Sequence, residues 1–144
     1  MYSASPPTWL SDDPRDFLIV VDVQHEATGK ASYMNLALYN TPRLMGVAAV
    51  TGSDLLSSAD RYLSHHPDSR YLYAYKFARH CHDEPYCFAV PTGLQGVALD
   101  TMLNFIERPY LESVTHTGPL ASQIVPQQVL HFYPAFTLFG RCDP

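Results

Sequence analysis

Tyr71, Tyr73, Tyr75 and Phe77 stand at every second position of the segment from Arg70 to Val90. A period of two belongs to an extended strand, because successive side chains leave a pleated backbone on opposite sides. The spacing sorts the rings to one face. Leu72, Ala74, Lys76 and Ala78, followed by His80 and His82, take the other. Asp83-Glu84-Pro85 interrupts the run, and Tyr86 to Val90 is expected to return as the second arm of a hairpin.

The remaining elements are sorted in the same way. Phe17 to Val23 is a continuous β-branched run, the pattern of a central strand covered on both faces. Tyr33 to Tyr39 alternates, Asn40-Thr41-Pro42 turns, and Leu44 to Val50 reads as a third strand, so these three runs suggest a meander. Leu55, Leu56, Ala59, Tyr62 and Leu63 fall on one face of a helix begun at Ser53 and ended by Pro67. A second helix is expected from Thr92, with Gln95 three residues on as a capping box, to Pro109. Asp100, Asn104 and Glu107 would form its narrow wet side. Leu111 to His116 is a short candidate strand, and Val129 to Phe139 a last one interrupted by Pro134.

The resulting order points to an α+β fold, a mainly antiparallel sheet of about six or seven strands with two helices packed on one side. Residues 1–15, with three prolines, read as an irregular N-terminal arm, and 16–144 as a single α+β domain.

Composition narrows the functional classes. The chain has 144 residues, 47% apolar, enough to build a core without metal or disulfide support. The net charge is -5, and the seven arginines are scattered with only two lysines, Lys30 and Lys76. Such a surface lacks the clustered cations that nucleic acid and anionic lipid demand. No apolar stretch is long enough to span a bilayer, and no secretory leader is visible, so neither nucleic acid nor membrane is an expected partner. Three cysteines, an odd and low number, suggest a reducing, cytoplasmic setting. Charged residues are only 16%, which favours burial of surface in a homodimer.

Two chemical sites suggest themselves. His80 and His82, two apart on a strand, project to one side and can share a divalent metal such as zinc. The third ligand would be Cys87, His131 or a carboxylate. Without metal, His80, His82 and His131 are the candidate acid–base residues, and Cys81 or Cys87 beside an imidazole is a candidate nucleophile. The structural alternative leaves both histidines at the exposed end of a strand. His65 and His66 need only a role at a helix end. Asp22, at the end of a central strand, requires a partner wherever it is buried.

Tyr71, Tyr73, Tyr75 and Tyr133 form the other candidate, an aromatic face for a small ligand or a protein partner. Ordinary cross-strand packing explains them equally well. Two functions therefore stand at this stage. One is a binding or interaction module working through the tyrosine face. The other is a small enzyme with a His/Cys hairpin site doing metal-assisted or acid–base chemistry.

Overall fold

The structure, a computed structural model, describes residues 2–94, 96–111, 114–118, 120, 122 and 124–134. Among these residues eight strands make two four-stranded sheets: β1 Ser3–Ala4, β2 Phe17–Val23, β3 Met34–Asn40, β4 Met45–Thr51, β5 Leu72–Ala78, β6 Cys87–Ala89, β7 Leu103–Pro109 and β8 Gln128–Phe132. The first sheet has the order β1-β7-β3-β4 and the second β6-β5-β2-β8. Helix among the described residues amounts to α1 Gly52–Leu55 and two 3-10 turns, Ser58–Arg61 and Ser69–Tyr71. The expected single sheet carrying two helices is therefore replaced by a β-sandwich.

Each sheet turns an apolar face inward. Leu18 and Val20 of β2 and Tyr73, Tyr75 and Phe77 of β5 meet Met34, Leu36 and Leu38 of β3 and Leu103 and Phe105 of β7 in one buried cluster. The rings of Phe77 and Phe105 touch across the interior with centroids 4.7 Å apart. β2 lies between β5 and β8, which explains its unbroken apolar run. It does not pair with β3, however, so the three-strand meander is corrected to a β3–β4 hairpin in the opposite sheet.

Both helical expectations fail for local reasons. Thr51 caps α1 through a capping box with Asp54, but Leu56 turns extended and Ser57 is left-handed at φ 63°. The Ser58 hydroxyl then donates to the Leu55 carbonyl at 2.7 Å and accepts the Ala74 N–H at 3.1 Å, docking the chain onto β5. Helical spacing of the apolar residues survives without the helix. In the second case Gly93 and Gly96 break the run. Gly93 has φ +88°, and a Cβ on Gly96 would meet the Pro91 carbonyl at 2.0 Å. The following residues become β7, with Leu103, Phe105, Glu107 and Pro109 inward. Glu107, expected on a wet helix face, is 0% exposed.

Two further expectations change. β6 runs parallel to β5 with Lys76 opposite Cys87, so residues 79–86 loop back rather than form a hairpin. The described residues of 111–116 are not in a strand. β8 ends at Phe132, and residues 135–139 of the expected last strand lie outside the described residues. The N-terminal arm is partly ordered into the sandwich: β1 pairs with β7, and Leu10 is fully buried.

Candidate functional site

The outer face of the second sheet carries a half-open groove of about 500 Å³. Alternation creates its floor. With Leu18 and Val20 committed to the core, Ile19 and Val21 of β2 face outward, beside Leu72 and Ala74 of β5. The segment after the left-handed Ser57 supplies one wall, Tyr62 and Leu63, and the opposite wall is Val125, Pro126, Leu130 and Phe132. Tyr62, Leu63, Val125, Leu130 and Phe132 are each 40–58% exposed, an unusual concentration of large apolar side chains in one place. Asp22 and Tyr73 border one end of the groove, with their side chains turned to the core side of the sheet.

Behind that end lies a buried polar cluster. The Tyr73 hydroxyl donates to Glu107 Oε2 at 2.6 Å across the interior. His25 Nε2 lies 3.3 Å from Glu107 Oε1, near enough for an ion pair but not aligned as a hydrogen bond. Asp22 Oδ1 accepts the N–H of Val23 at 2.6 Å, and the rest of the buried carboxyl faces that of Glu107. Burial, reinforced by the Glu107 carboxylate, pushes the Asp22 carboxyl up to about 7. The Tyr73 phenol is raised for the same two reasons. Asp22 and Glu107 thus resist joint ionisation, as two carboxyls in one low-dielectric space must.

The tyrosines of the expected ligand face lie elsewhere. Tyr73 and Tyr75 point into the core, Tyr71 is half-buried in a 3-10 turn, and Tyr133 is exposed next to His131. The alternation was read with the right phase, but the ringed side is the interior. The ligand-sized space lies on the other face of the same strand, where small Ala74 leaves room.

The histidines do not assemble. His80 Nε2 contacts Asp12 Oδ1 at 3.1 Å, and the His80 and His82 rings are 6.0 Å apart. Cys87 is bonded to Cys81, so neither sulfur is a free thiolate ligand or nucleophile. Among the described residues no three His, Cys, Asp or Glu side chains gather in a way that could hold a metal ion. His131 has a separate role. Its Nε2 meets buried Asp16 at 2.8 Å and its Nδ1 lies 3.4 Å from the Thr8 hydroxyl. Trp9 and Tyr133 pack edge-on against the ring. Both imidazole nitrogens are engaged, and the arrangement staples the N-terminal arm to β8.

Sequence reasoning missed Glu107 and Arg79. The buried Arg79 guanidinium donates to the carbonyls of Leu10, Val90, Pro91, Val97 and Ala98, binding the arm to the loop that replaces the second helix. Desolvation lowers its pKa despite Asp12 and Asp16 nearby. Neither residue carried a motif; a charge inside an otherwise apolar run was the available signal.

The fold and the site together define an all-β sandwich with an apolar groove on one sheet and an acidic cluster beneath its end. No family model, curated protein or solved structure matches the chain.

Proposed function

We propose that this protein is a binding module that holds a small apolar molecule in the groove on its second sheet. The observation that carries this reading is the convergence of five partly exposed apolar side chains around a space of about 500 Å³. That volume lies within the range of small-molecule sites, roughly 300–1,000 Å³. A bound alkyl chain gains about 0.8 kcal/mol for each methylene removed from water. Losses of ligand freedom offset part of this, which leaves affinities of micromolar order.

The test is a titration with the neutral dye Nile red, read by its fluorescence. Saturable binding is expected, and Leu130→Glu, on an edge strand and 46% exposed, should abolish it while circular dichroism stays unchanged. A dye signal that survives this substitution, or none at all, overturns the proposal. A homodimer would cover the same apolar surface. Light scattering showing a dimer that Leu130→Glu dissociates would identify a second copy as the occupant instead.

No helix among the described residues is long and apolar enough to cross a membrane. As to compartment, the Cys81–Cys87 bond supports an oxidising setting rather than the cytoplasmic one suggested by the cysteine count. Free-thiol counting on protein isolated under alkylating conditions tests this, and three reactive thiols would overturn it.

A further inference from the structure

A chain of contacts runs from the Cys81–Cys87 bond, through Glu84 and Pro85, to the Tyr62–Leu63 wall of the groove. We infer, on the reading of the groove as a binding site, that this disulfide is its redox switch. Intact, the bond props the wall in place; a dithiol reductant breaks the bond, frees the wall and weakens ligand binding. Both half-cystines are partly exposed, so an attacking thiolate can reach them. The loop between them is under constraint. His82, Asp83 and Tyr86 are left-handed at φ 48°, 60° and 56°, a conformation that non-glycine residues keep only where their surroundings impose it. Opening the ring removes that imposition. β6, which begins at Cys87, is three residues long and offers only a short hold on the far end of the loop.

Glu84 and Pro85 relay the state of the loop to the wall. Glu84 meets Lys76 of β5 at 2.6 Å and closes on Arg61 with its other oxygen. The Pro85 carbonyl accepts from the same Arg61 guanidinium at 3.3 Å. An isolated surface ion pair holds little, but this latch joins two cations and a carbonyl to one loop. Burial pushes the Glu84 carboxyl up; Lys76 and Arg61 outweigh it and hold the group below its ordinary value, charged between them. Arg61 immediately precedes Tyr62 and Leu63. Residues 60–68 are exposed throughout, and among the described residues the side-chain bonds tying this stretch to another element are those of Arg61. Ser58, upstream, is fixed to β5 by the Ala74 N–H. The wall thus has a fixed end at Ser58 and a latched one at Arg61.

Reduction transfers two electrons. The dithiol attacks one sulfur as a thiolate, forms a mixed disulfide, and closes to its own cyclic disulfide, its two protons ending on the Cys81 and Cys87 thiols. Nile red titration of the full chain before and after dithiothreitol provides the test, with the thiols counted by alkylation and mass. Reduction should weaken binding about tenfold, as two apolar wall residues cease to cover the dye. Arg61→Gln should weaken binding similarly in the oxidised chain and abolish the response to dithiol. That variant decides the matter where the reduced chain loses its sheet signal in circular dichroism. Equal or tighter binding after reduction of a folded chain overturns the switch but leaves the groove a binding site. An Arg61→Gln chain that binds like the parent does the same. Failure of both the oxidised and the reduced chain to bind the dye removes the proposed function itself.

Discussion

The Tyr73 hydroxyl donates to Glu107 Oε2 at 2.6 Å, joining β5 of one sheet to β7 of the other through a fully buried hydrogen bond. Its acceptor is cut off from water: Glu107 is 0% exposed. Tyr73→Phe removes the donor and keeps the ring. It should cost about 2 kcal/mol, the range for leaving a buried acceptor unsatisfied, measured as a lower urea midpoint with an unchanged slope. Stability equal to that of the unaltered chain would mean that Glu107 finds another donor.

The pH dependence of stability should carry the signature of Asp22. Its carboxyl is raised from 3.8 to about 7 in the folded chain by burial first and by Glu107 second. A raised folded value means that the native state holds a proton the unfolded chain releases. The corresponding stabilisation is complete below about pH 4 and is lost as pH rises through 7. Asp22→Asn should flatten this slope and exceed the parent in stability at pH 8. Unfolding curves between pH 5 and 8 check it.

Asp16 has the opposite sign. Burial pushes its carboxyl up, but bonds from Ser11 and His131 outweigh burial and hold it below its ordinary value. Its contribution is present above the usual carboxylate range and is lost as pH falls through the lowered value. Asp16→Asn should therefore weaken the contact of the N-terminal arm with β8 at neutral pH. Trp9, packed on His131 with centroids 5.1 Å apart, reports this through its fluorescence.

Arg79→Met should be among the most damaging single changes, costing about 3 kcal/mol, since it strips hydrogen bonds from five carbonyls at once. Limited proteolysis should then cut within 90–98. Lysine should rescue little, because an ammonium lacks the planar fork that spans these partners.

What could be read from the sequence follows from how local each determinant is. β2 and β5 were legible because a β-branched run and a strict alternation state their own geometry. The end of β2 also announced a need: Asp22 required a partner if buried, and Glu107 is that partner. The helices were misread because Leu55, Leu56, Ala59, Tyr62 and Leu63 satisfy a helical period while Ser57 sits left-handed among them. No rule for serine foretells that. The second misreading had a visible warning in Gly93 and Gly96, two helix breakers within a run whose apolar residues fit either period. Glu107 looked like the wet side of a helix for the same reason. The groove was not legible at all, since its walls come from segments some sixty residues apart in sequence. The phase of β5 was correct, but periodicity cannot say which of two apolar faces is the core.

Chemical-shift mapping of the isotope-labelled chain during titration with decanol tests the central claim most directly. Saturable shifts should concentrate at Ile19, Val21, Leu72, Ala74, Leu63 and Leu130, with Leu38 and Val50 of the first sheet unmoved. Shifts centred on the first sheet, or a spectrum indifferent to the ligand, would contradict a binding site on the second.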